Sequence, residues 1–173
     1  FSKLKRLLYT TARIEKLFQR FKSGNVDFYP QIRPEDLQHA EDTWIRYAQE
    51  GMLSDISKGN YKKLMPSEEN GIIVVGGRAE KWIESTWNKQ RFVLLPKTLR
   101  LSSLIAEQEH VAIGHLAAES TIAKIRANYW IIGVRRIVNS IISRCTKCKE
   151  KFKKLAAQKM SPLPVERLKP SPP

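Results

Sequence analysis

The chain has 173 residues and a mass of 20.0 kDa, room for one domain or two very small ones. Its 31 lysines and arginines outweigh 17 acids, giving a formal net charge of +14 and a pI near 10.0, which points to a polyanionic partner. No apolar run approaches the ~20 residues a membrane-spanning helix needs, so no membrane partner is expected.

Leu4, Leu7 and Leu8, then Ile14, Leu17, Phe18 and Phe21, form a stripe at helical spacing, with Lys3, Lys5, Arg6, Arg13, Lys16, Arg20 and Lys22 alongside. That predicts a basic amphipathic helix whose stripe packs on its own protein; a membrane surface or a groove-type partner is the rival use. Gly24 to Pro34 reads as irregular. Pro34 suits a first helical position and Glu35-Asp36 a first turn, so a second helix is expected from there, burying Leu37, Ala40, Trp44, Tyr47 and Ala48. His39 falls on its polar flank as a solvated residue.

After Pro66, Ile72-Ile73-Val74-Val75 closed by Gly76-Gly77 reads as a strand and turn, and Phe92 to Pro96 as a second strand, together a small antiparallel unit. Ser102 or Ser103 is placed to cap a helix running through Glu109 and carrying His110 at its end. Ile122, Ile125 and Tyr129, then Val134, Ile137, Val138, Ile141 and Ile142, recur at helical spacing and predict two short amphipathic helices, with Gly133 as the turn between them. The second ends at Arg144. Past Cys148 come Lys149, Lys151, Lys153 and Lys154, then five of the nine prolines between Pro162 and Pro173, a basic exit and a stiff linker. Phe1 at one end and the proline cluster at the other suggest a piece of something longer.

His110 and His115, with Cys145 and Cys148, form the pattern His-x4-His-x29-Cys-x2-Cys, which holds both cysteines and two of the three histidines. Zinc favours four tetrahedral ligands, and a Cys2His2 set closes the site so that no position is left for water. Cys-x2-Cys lets one tight turn aim both sulfurs at one ion. His-x4-His needs a break, because residues i and i+5 of an unbroken helix point apart, and Gly114 supplies it. The rival, a redox Cys-x-x-Cys, belongs at the start of a helix after a strand, whereas Cys145 follows a helix. Two cysteines in a reducing compartment suit metal better than a disulfide.

The charge is localised as well. From His110 to Pro173 there are thirteen basic residues against three acids, a net +10. Lys124, Arg126, Arg135, Arg136, Lys147 and Lys149 are expected to project from the zinc-held helices as phosphate contacts, the rival being a solvated face. Trp130, Ile122, Ile125, Ile137 and Ile141 are expected in the core, although Tyr129 and Trp130 also suit base stacking.

Glu109-His110-x-x-x-Gly114-His115, the stretch from Thr121 to Ile131 and Cys145-x-x-Cys148 resemble the His-His-Cys-Cys zinc-binding domain at the amino terminus of retroelement integrases. The likeness extends to the BEL/Pao class of long-terminal-repeat retrotransposons through Ala40-Glu41-x-x-Trp44-Ile45, Leu64-x-Pro66, Gly71 to Arg78 and Leu94-Leu95-Pro96 upstream, and through Gln158 to Arg167 downstream. This resemblance implies a zinc-stabilised helical bundle that assists homo-oligomer assembly, contacts the element's DNA ends and works in the nucleus after a cytoplasmic particle stage. It assigns His110, His115, Cys145 and Cys148 as ligands of Zn²⁺ and places the catalytic carboxylates in a following domain. With no Asp after Asp55, the chain is expected not to be an enzyme on its own. A second possibility is an integrase-like zinc domain domesticated as an adapter for chromatin or dimerisation; a zinc-free redox or scaffolding protein is a third.

The resulting expectation is a mainly α chain with a small antiparallel β unit. Residues 1–65 form a helical segment, 66–100 a two-stranded β extension, 101–155 the zinc-stabilised three-helix-type bundle, and 156–173 a basic, proline-rich linker.

Overall fold

The computed structural model describes residues 2–23, 31–76, 92–153 and 160–169. The expected turn residue Gly77 and much of the linker lie outside them. Helix α1 spans Leu4–Ser23 and α2 spans Pro34–Ser57. Pro34 opens α2 as its spacing suggested, and the Asp36 carboxylate accepts the Arg33 N–H at 2.6 Å, satisfying one of the free donors of the first turn. Lys16 beside it holds that carboxyl below the usual range. The two helices run antiparallel: Trp44 Nε1 donates to Thr11 Oγ1 at 2.9 Å, and Thr43 Oγ1 donates to Glu15 Oε1 at 3.1 Å. His39 is exposed, 2.9 Å from Glu15 Oε2.

Two expectations about these helices need correction. Only the start of the α1 stripe is covered: Leu4 and Leu7 are buried, but Ile14, Leu17, Phe18 and Phe21 are exposed. Tyr47 is exposed as well, lying edge-on to Trp44 rather than in the core.

Strands β1 (Ser67–Glu69), β2 (Ile72–Val75), β3 (Phe92–Leu95) and β4 (Tyr129–Ile131) form one sheet in that order. β1, β2 and β3 pair antiparallel, whereas β3 and β4 pair parallel, Leu94 facing Trp130. Among the described residues the sheet is therefore mixed and four-stranded, not a two-stranded antiparallel unit. β1 and β2 meet at Asn70-Gly71, both at positive φ (50° and 75°), the two-residue turn whose twist matches a hairpin. β4 replaces the expected helical end at Tyr129 and Trp130. The free edge of β3 gives this short aromatic and β-branched run a partner, and the ladder is extended by Val93 N–H to Asn128 O at 3.2 Å and Ile132 N–H to Leu95 O at 3.0 Å.

The remaining helices are α3 (Arg100–Ala112), α4 (Ala118–Arg126), α5 (Val134–Arg144), α6 (Thr146–Lys151) and the short α7 (Val165–Leu168). Neither Ser102 nor Ser103 caps α3, which starts after Leu99; Ser102 is buried within the helix and donates to Pro96 O at 2.6 Å. The structure is mostly helical, with the small sheet at its side, in keeping with the expected fold class.

Two apolar clusters lie among the described residues, and the larger crosses the elements. Leu4 and Leu7 of α1, Ile45 of α2 and Leu95 of β3 belong to the same cluster as Leu104 of α3, Ile125 of α4, Ile131 of β4 and Val138 of α5. Ile122, Ile125 and Ile141 are buried as expected, while Ile137 and Trp130 are only partly so. Where α2 meets the sheet lies a buried amide: Gln49 is 2% exposed, its Nε2 donates to Ile73 O at 2.8 Å and Leu94 O at 2.7 Å, and its Oε1 accepts the Ile73 N–H at 2.7 Å. No helix among the described residues is long and apolar enough to cross a membrane.

Candidate metal centre

The histidine pair is built by the way α3 stops. His110 lies in its last turns; Gly114 follows at φ 73° and His115 at φ 60°. The His115 N–H bonds back to His110 O at 3.1 Å and the Gly114 N–H to Val111 O at 3.0 Å. This is the paired closure that a left-handed glycine after a helix permits, and it ties the sixth residue directly to the first. A spacing that would separate two side chains on a continuing helix thus brings them together, the rings 4.8 Å apart and nearly perpendicular. The helix itself continues to Ala112, two residues beyond the expected end at His110.

The cysteine pair sits where α5 hands over to α6. Cys145 closes α5, its N–H bonded to Ile141 O at 3.0 Å, and its own carbonyl accepts the Lys149 N–H at 3.0 Å. Cys148 then falls in the first turn of α6, buried, with Cys145 half-buried.

His110 Nε2 lies 3.2 Å from His115 Nδ1 and 3.2 Å from Cys148 Sγ, and Cys145 Sγ lies 3.3 Å from His115 Nδ1. All four donor atoms fall within 4.8 Å of one another. Tetrahedral zinc bonds of about 2.05 Å to nitrogen and about 2.3 Å to sulfur separate neighbouring donors by about 3.3–3.8 Å, so the three short edges lie near those of a single ion and a modest adjustment fits the rest. The donors are also chemically apt. Burial, followed by the neighbouring His115, lowers the pKa of His110 and favours the neutral ring that ligates. Burial and the adjacent Cys145 push the Cys148 thiol up, a penalty on two neighbouring thiolates that a divalent cation removes. The two histidines use different ring nitrogens, leaving His110 Nδ1 buried with no protein partner.

Residues 96–153 match the family model of the integrase zinc binding domain. The matched stretch is about a third of the chain and contains all four donors. No curated protein and no solved structure matches the chain. His110, His115, Cys145 and Cys148 are accordingly the donor set of a Zn²⁺ site. Bound zinc supplies a structural crosslink there. The chain's contribution is the helix stop and the α5–α6 junction that hold two donors each.

All six basic residues expected to meet phosphate are exposed. Two have other engagements: Arg135 forms a forked salt bridge with Glu119, and the Arg126 guanidinium lies over the Trp130 ring at 5.3 Å. Lys124 sits in the last turn of α4, Arg136 near the start of α5, and Lys147 and Lys149 on α6 beside the cysteines.

Proposed function

We propose that this chain is the zinc-binding, nucleic-acid-binding and assembly segment of a retroelement integrase, of the BEL/Pao class of long-terminal-repeat retrotransposons. The observation that carries the reading is the His2Cys2 donor cluster inside the stretch that matches the integrase zinc binding domain. The zinc module works as an architectural piece: it is not an enzyme by itself, and catalytic carboxylates act from a separate domain. Its ligand is the DNA of the element's ends, its assembly partner is a further integrase copy, and its place of work is the nucleus, after a cytoplasmic particle stage.

Lys124, Arg136, Lys147 and Lys149 support the DNA part of the reading, being exposed and close in sequence to the metal-held turns. Phosphate contacts release condensed counterions, so four of them give a slope of about −3.6 for log affinity against log salt on duplex DNA. Fluorescence anisotropy with a labelled duplex across a salt series is the test. Lys147→Ala with Lys149→Ala should flatten that slope by about half. Salt-independent binding, or no binding at low salt, removes the nucleic-acid function while leaving the zinc site untouched.

A further inference from the structure

A cavity of about 590 Å³ opens beside the metal centre, between the start of α1, the last turns of α3 and the end of α5. Its size falls within the range of small-molecule sites. Leu4, Leu104 and Ile141 wall one side and Val111 stands at the rim. The zinc donors His110, His115 and Cys145 close another side.

The charges around it are one-sided. Lys3, Lys5 and Arg144 line the cavity together with a single acid, Glu107. That acid is already held in a fork by Arg100, at 3.1 and 3.3 Å. Among the described residues Arg144 donates only to the carbonyl and hydroxyl of Ser140, both neutral, at 3.0 Å each. Lys3 and Lys5 have no carboxylate partner among the described residues. In the same wall, His110 Nδ1 is buried and has no hydrogen-bond partner among the described residues.

An occupant must therefore be apolar in body and negative at one end. A sugar or a nucleobase would lose hydrogen bonds to water that the leucine and isoleucine wall does not replace. A cation meets three like charges, and a neutral hydrocarbon leaves the lysines without a role. We infer that the cavity binds an anionic amphiphile, a single acyl chain lying against Leu4, Leu104 and Ile141 with its carboxylate or phosphate head between Lys3 and Lys5. Such a head comes from a free fatty acid or from a single-chain phospholipid. The cavity lining contains none of the proposed DNA contacts, and the site does not depend on that reading.

Isothermal titration calorimetry on the zinc-loaded full chain, below the micelle threshold of each probe, provides the test. Dodecanoate or lysophosphatidate should bind at one site, and whichever binds more tightly identifies the source of the head. Dodecyltrimethylammonium should not bind. Lys3→Glu with Lys5→Glu should weaken the anionic probe roughly tenfold or more, a change of about 1.4 kcal/mol. Ala112→Trp, at the exposed lining of the cavity, should block binding with zinc content and helical circular dichroism unchanged. The inference fails if anionic and cationic probes bind alike, if neither anionic probe binds, if the variants leave affinity unchanged, or if binding expels zinc mole for mole, which would make the head a competing metal ligand.

Discussion

Gln49→Leu isolates a single buried amide, because leucine nearly matches glutamine in volume and leaves little cavity. In the wild type, Ile73 lies one step beyond the Val74–Val93 rung, where its partner across the ladder would be Leu94. The Gln49 amide occupies that gap and satisfies three backbone groups, Ile73 N–H, Ile73 O and Leu94 O, at 2.7–2.8 Å. The substitution removes three hydrogen bonds and strands all three groups in the interior. At about 1 kcal/mol net per bond, and more where a buried group finds no substitute, the loss comes to roughly 3–5 kcal/mol. For a chain of this length that lowers Tm by roughly 6–20 °C. Thermal unfolding of the zinc-loaded protein, followed by circular dichroism, measures it against Glu50→Ala, an exposed control on the same helix. A Tm within about 2 °C of wild type would refute the bridging role.

Cys148→Ser should lose zinc and helical signal together, as should chelation of the wild type; metal analysis paired with circular dichroism reads both, and retained structure after zinc removal would count against metal-coupled folding. Gly114→Ala meets no atom within 4 Å, so its cost is purely that of φ 73°, about 1 kcal/mol, visible as a weaker zinc affinity in a chelator competition. Tyr129, whose hydroxyl donates to Glu41, has its phenol pKa raised first by burial and then by that carboxylate. Since the folded pKa lies above the unfolded value, the unfolded chain loses this proton first, and stability falls as pH rises past about 10. Tyr129→Phe should flatten that alkaline decline in a denaturant titration repeated across pH, and an unchanged decline would assign it to other groups.

The zinc quartet was legible because its chemistry is local: residue type and short spacing alone select the ligands, and Gly114 announces the helix stop. α2 was equally readable from Pro34 and its first-turn acids. β4 was not, because Tyr129-Trp130-Ile131 lies between two helical patterns and becomes a strand only through the open edge of β3, a partner more than thirty residues upstream. The β1–β2 hairpin has one local sign, the turn pair Asn70-Gly71, but Ser67-Glu68-Glu69 before it carries no apolar pattern to mark a strand. Gln49 reads as an ordinary polar helix position, and nothing short of the folded sheet reveals what it bridges. The α1 stripe shows the limit of periodicity, which marks an apolar face but does not say how far along the helix a neighbour covers it.

β4 lies between the two ligand pairs in sequence, yet its hydrogen-bonding partner, β3, lies just before the stretch that matches the zinc-binding family. Cutting the molecule at residue 96 would leave that strand with unsatisfied amides along one side and a hydrophobic flank exposed to other chains. A transplanted module would then favour self-association, making the upstream sheet a shield against aggregation as much as a support.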